Sequence, residues 1–193
     1  MPETFQPHDP KKFEAALRRF DEENSRDPNH ETVDDISYPR ELLYAQRLTD
    51  WVLRRLAARC QHICRWESPR ENYPMTRPGY LKWRADLKKF HAGKSGAILQ
   101  EVGYDEETIR RVQDLNLKKN FPADADTRTL EDALCLVFLQ FQFADLAVKT
   151  AEDKTINALQ KSWDKMTEAA RTEALKLPYD EHEKNLLQRA LNG

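Results

Sequence analysis

Apolar residues recur along this chain at helical spacing, and no run of alternating β-branched residues interrupts them. Phe13, Leu17 and Phe20 form one stripe of a first helix over residues 10–24, which ends in a polar turn over residues 25–30. A second helix starts near Pro39, a residue suited to a first turn, and carries Leu42, Leu43, Leu48, Trp51, Val52 and Leu53. Pro69, Pro74 and Pro78 then hold residues 68–79 out of helix. Helices follow over residues 80–91, 96–102 and 106–118, with a turn over 120–126. Residues 128–150 are apolar almost all round, the pattern of a helix running through the centre of a domain. Two amphipathic stretches, 154–175 and 179–191, complete an all-α expectation: one helical bundle over residues 1–193, without linkers or repeats.

At 193 residues the chain can bury a full core without disulfides or a structural metal, so any metal held here would be functional. Only five glycines leave few places for hairpins or phosphate-cradling loops, and no Walker or dinucleotide fingerprint is present. The longest apolar run, residues 133–143, is too short to span a bilayer, and MPETFQPHDPKKF has neither the basic start nor the apolar stretch of a signal peptide. A cytoplasmic protein with no membrane partner is the expectation. Cys60, Cys64 and Cys135 fit a reducing compartment and read as buried small hydrophobes. On a helix, Cys60 and Cys64 lie ~40° apart with His62 roughly opposite, so the string CQHIC does not chelate one ion.

Charge singles out one region. Between Arg65 and Lys94, eight Lys/Arg oppose three Asp/Glu, whereas the whole chain carries −2, and this local reversal points to an anionic ligand. On a helical wheel Trp83, Leu87 and Phe90 share a ~60° apolar arc bordered by Tyr80, Arg84, Lys88 and His91. That border reads either as a cationic wall for phosphate or carboxylate, or as basic stems covering an apolar flank. Arg65, Arg70 and Arg77 carry forked donors suited to a phosphate, with Tyr73, Tyr80 and Trp83 available to stack on a base. Interleaved basic and aromatic residues also occur in single-strand RNA binders, although the net charge argues against a broad footprint.

Asp132, with wheel neighbours Leu136, Leu139 and Phe143, is an acid on an apolar face. It reads as a helix-start acid paired with an arginine, or as a metal ligand or histidine partner. Glu131 reads as a solvent or ion-pair residue. His62 fits a ligand, a general acid or base, or a satisfied core histidine. Residues 21–31, rich in oxygen donors but without calcium-loop spacing, read as a capped turn from which Asp27 or Asn29 can reach a pocket.

The strings FDEENSRDPN, PRELLYAQRLTDWV, AARCQHICRWESPRENYPMTRPGYLKWR, FHAG, GYDEETI and LEDALCLVFL, in order along nearly the whole chain, resemble domain-of-unknown-function family 4202, a bacterial and fungal family whose name carries no reaction. A weaker similarity is to the helical HD superfamily of metal-dependent phosphohydrolases. Tyr44–Leu48 stands where that superfamily has H-x-x-R-V, Gln61–Arg65 where it has HDIGK, and Asp132 where its last aspartate lies. Its ligands do not carry over: Tyr44 and Gln61 replace histidines and His62 replaces an aspartate. The resemblance implies an HD-like domain binding a phosphorylated small molecule or nucleotide, with phosphoester hydrolysis as the reaction. A divalent metal (Zn, Mn or Fe) on His62, His91 and Asp132 would activate a water, and Arg70, Arg77 and Arg84 would neutralise developing charge. The rival is a non-catalytic module binding RNA or a partner through the same basic-aromatic surface. One departure concerns residues 51–60, which read straight through where the family has a proline turn. A continuous helix would set Tyr44 and His62 ~27 Å apart. A shared pocket then needs a sharp turn near residues 54–57 or linker residues absent from this sequence, and the second is the favoured reading.

Overall fold

Pro10 occupies the first turn of α1 (Pro10–Asn24) and the Asp9 side chain accepts from the Lys12 N–H, so the helix starts and ends where its apolar stripe predicts. Phe13, Ala16 and Phe20 are its buried face. The computed structural model of the protein describes residues 9–52 and 56–192, and it is all-α apart from one two-stranded hairpin. Contacts divide the chain into two compact units, Met1–Lys119 and Asn120–Gly193.

In the first unit, the polar stretch after α1 holds more than a turn. Strands β1 (His30–Val33) and β2 (Ile36–Pro39) pair antiparallel, with Val33 opposite Ile36. Asp34 and Asp35, at φ 49° and 62°, make the two-residue turn whose positive φ matches strand twist. Aspartate tolerates that conformation, which is why a hairpin forms here without glycine. The buried Asp27 carboxylate accepts from Asn29 N and Nδ2 and from Glu41 N, tying the turn to the start of α2 (Arg40–Val52). Asp27 caps the turn as expected, but the ends of that stretch belong to α1 and β1, and the Asp27 oxygens are taken up by Asn29 and the Glu41 N–H.

Helix α3 (Leu56–Arg59) packs against α2. The Tyr44 and His62 rings lie 4.3 Å apart rather than a helix length, without added linker residues. Residues 53–55, where the expected turn near 54–57 begins, lie outside the described residues.

After short 3-10 turns at Arg65–Glu67 and Arg70–Asn72, α4 runs unbroken from Arg77 to Glu101. It begins earlier than the prolines imply because Pro78 fits its first turn and Thr76 caps Gly79 N–H. It continues through Gly93 and Gly96, where two helices were expected. Glycine costs an isolated helix about 1 kcal/mol, but at Gly96 a Cβ would run into the Gln113 side chain of α5 (Glu106–Leu117). A side chain at position 96 would have to displace the Gln113 amide from its bond to the Ala92 carbonyl, which glycine leaves in place.

In the second unit, Asp124 caps α6 (Ala125–Phe141), whose buried face includes Leu130, Ala133, Leu136, Val137 and Leu139. The single helix expected over 128–150 is broken: Gln142 leaves helical backbone at φ −125°, and α7 (Phe143–Lys149) follows with Val148 85% exposed. The stretch 154–175 is likewise two helices, α8 (Glu152–Lys165) and α9 (Glu168–Ala174), because Met166 turns extended and Thr167 starts a new N-terminus. In α10 (Glu181–Asn192), Asp180 and Glu183 exchange backbone N–H bonds as a reciprocal cap. No helix among the described residues is long and apolar enough to cross a membrane.

Candidate functional site

Three elements of the first unit meet at one small pocket. The turn after α3 contributes Gln61 and His62, α4 contributes Arg84, Leu87, Lys88 and His91, and Lys118 comes from the end of α5. Positions 84, 88 and 91 share one face of α4 by the i, i+4, i+7 rule, and Leu87 backs them into the core. The cavity among them measures about 20 Å³, room for a water-sized group.

Hydrogen bonding fixes the histidines. His91, buried to 3% exposure, donates from Nδ1 to the Ile63 carbonyl at 2.9 Å, so its Nε2 is the ring's lone-pair nitrogen. That Nε2 is buried with no partner, as is Oε1 of Gln61. Burial lowers the His91 pKa to about 4, helped by the charges of Arg65 and Arg84 and opposed by the Ile63 bond. His62 sits between the Tyr44 ring, stacked at 4.3 Å, and the His91 ring at 5.8 Å. Its pKa falls well below the usual value through burial first, then the charges of Arg65, His91, Arg84 and Lys118. Both imidazoles are therefore neutral at physiological pH.

Glu41, a residue that the sequence reading passed over, stands behind His62 with Oε2 at 3.7 Å from Nδ1. Burial pushes its carboxyl up to about 7; Asp27 adds to the rise, while Arg65 and Arg40 oppose it. In the sequence it looks like an ordinary first-turn acid of α2, and nothing local marks it as buried. Lys118 was missed for a similar reason, since it follows α5 in a left-handed cap that only the fold brings to His62.

The other expected residues occupy different places. Arg65 lies with its guanidinium 5.2 Å over the Trp83 ring, and burial lowers its pKa. Arg70 donates to the carbonyls of Tyr73, Pro74 and Thr76 and so braces the turn before α4. Arg77 is exposed at the first position of α4 and does not line the pocket. Trp83 is buried, bonded through Nε1 to the Ser68 carbonyl; Tyr73 donates to Asp86 with Lys82 over its ring; Tyr80 is 47% exposed and tilts against Trp83. These aromatics and Arg70 hold the turn together.

Of the expected metal set, His62 and His91 share the pocket just described. Asp132 belongs to the second unit, where both its oxygens accept from Thr167, from N at 2.8 Å and Oγ1 at 2.7 Å, and so fix the start of α9. Among the described residues no group of three His, Cys, Asp or Glu is placed to hold a metal ion. Glu131 is buried and paired with Lys165 at 3.2 Å. All three cysteines are free and buried, as expected of small hydrophobes. A larger cleft of about 510 Å³ in the second unit is lined, among the described residues, by Gln160, Trp163, Asp164, Ala190 and Leu191, none of them basic or an imidazole.

No curated protein and no solved structure matches the chain. A family profile described as "Domain of unknown function (DUF4202)" matches residues 14–187, a span that takes in the whole pocket, and the chain belongs to that family.

Proposed function

We propose that the pocket of Gln61, His62, Arg84, Lys88, His91 and Lys118 binds the anionic group of a phosphorylated small molecule or nucleotide. The observation that carries this reading is the convergence of cationic side chains on two imidazoles that burial and those same cations keep neutral. Arg84 and Lys88 have no carboxylate partner among the described residues, unlike Lys82 and Lys94 on the same helix. Glu41 cancels little of this charge below neutrality, because its carboxyl holds its proton up to about pH 7. An anion entering the pocket relieves the mutual repulsion of the cations and gains charge-assisted hydrogen bonds.

Phosphoester hydrolysis is the reaction this arrangement serves best. A carboxyl that titrates near 7 behind His62 is tuned to trade a proton at neutral pH, and Arg84 is placed to offset charge on a phosphoryl oxygen. Calorimetric titration with pyrophosphate and a nucleoside monophosphate at low salt tests the binding step. Arg84→Ala is expected to weaken binding by about tenfold or more. No binding at millimolar ligand, or binding indifferent to that change, overturns the proposal.

A further inference from the structure

Cations are only half of this pocket's polar lining. His91 and Gln61 both line this site, each is at least nine-tenths buried, and each carries one buried acceptor without a partner, Nε2 and Oε1. The His91 assignment is firm because its other nitrogen must donate to the Ile63 carbonyl, and a pKa near 4 leaves no second proton on the ring. Buried polar atoms in folded proteins nearly always find a partner, and a ligand group is one of the partners that explains an exception.

An oxyanion without hydrogens fits the cations and clashes with these acceptors, since its lone pairs would face theirs. An oxyanion that carries a hydroxyl satisfies both. Its bare oxygens accept from Arg84 and Lys88, and its O–H donates to His91 Nε2 or Gln61 Oε1. Lys88 sits on a flexible four-carbon stem, which can swing aside to admit such a group.

We infer that the pocket selects a hydroxyl-bearing oxyanion, hydrogen phosphate or a phosphate ester that retains a proton, over an unprotonated one of the same size and charge. This inference rests on the anion-binding reading above and adds which anion is taken. Calorimetric titration of the full chain with inorganic phosphate and with sulfate, at neutral pH and matched ionic strength, separates the two. Phosphate keeps at least one hydroxyl under these conditions and sulfate keeps none. Phosphate is expected to bind about tenfold or more tightly, the cost of facing a lone pair with a lone pair. Equal affinities overturn the inference and leave anion binding standing, whereas failure of both ions to bind overturns anion binding itself. Gln61→Met, which keeps the volume and removes the acceptor, is the second test, read alongside the unfolding midpoint. A folded variant that loses phosphate affinity while sulfate affinity holds or rises supports the inference, and one in which the preference for phosphate over sulfate is unchanged counts against it.

Discussion

Removing the Asp27 carboxylate is the sharpest probe of how the fold builds this site. In Asp27→Ala, three donors lose their acceptor: Asn29 N at 2.9 Å, Asn29 Nδ2 at 3.0 Å and Glu41 N at 3.0 Å. Asn29 is exposed, so its two donors can turn to water, but the Glu41 N–H is buried in the first turn of α2. A buried donor left without a partner costs ~1–3 kcal/mol, and losing a helix N-cap costs ~1 kcal/mol, with some overlap between them. A loss of about 2–3 kcal/mol is therefore expected, and urea unfolding followed by tryptophan fluorescence reads it, because Trp66 and Trp83 both lie in this unit. The same change has a second signature. Asp27 pushes the Glu41 carboxyl up, so the variant should bring the Glu41 titration down from about 7, as followed by carboxyl NMR shifts. A stability change within about 0.5 kcal/mol, the range of an ordinary surface substitution, would refute the account of Asp27 as the anchor of α2.

Three further outcomes are expected. Glu41 has a folded pKa near 7 against 4.5 for the unfolded group, so the folded state binds the extra proton in that window and stability falls as pH rises from about 4.5 to 7. Glu41→Gln should remove this loss and become the more stable protein above pH 7, and parallel melting curves across the range would contradict it. Gly79→Ala would drive a methyl into the Pro74 carbonyl, which also accepts from Arg70, so a loss of about 1–3 kcal/mol with a displaced turn should appear in chemical denaturation and in the near-UV signal of Trp83. Asp132→Ala strips both acceptors from Thr167 at the start of α9 and should lower stability by about 1–2 kcal/mol, with faster amide exchange at Ala170, whose N–H bonds to the Thr167 hydroxyl; unchanged exchange there would sink the capping role.

How far the chain was legible depended on whether the information was local. The Phe13–Phe20 stripe behind Pro10 defined α1 to the residue, and the border of Arg84, Lys88 and His91 is one face of α4 in the structure. Both rest on periodicity within a single helix. The hairpin escaped because its turn uses two aspartates in place of glycine, although Val33-Asp34-Asp35-Ile36 is a signal that could have been read. The joined α4 escaped because Gly96 answers to Gln113 in another helix, and the break at Met166 because Asp132, 35 residues before Thr167, supplies the acceptor that starts α9. In the site, Glu41 carries no local mark of burial, and the approach of Tyr44 to His62 contradicts the straight helix that residues 51–60 spell.

Cys64 closes the turn behind His62 in left-handed backbone, at φ 51°, immediately after the carbonyl that pins His91. The protonation pattern of a ring 27 positions further along the chain thus depends on a torsion at this cysteine, whose buried sulfur faces Glu23 at 3.9 Å and not the ring. A saturation scan should accordingly score position 64 by backbone tolerance, accepting glycine and asparagine while rejecting valine and isoleucine. Read by residue type alone, such a result would be mistaken for the footprint of a reactive thiol. It would instead be the trace of a carbonyl that has to point one way.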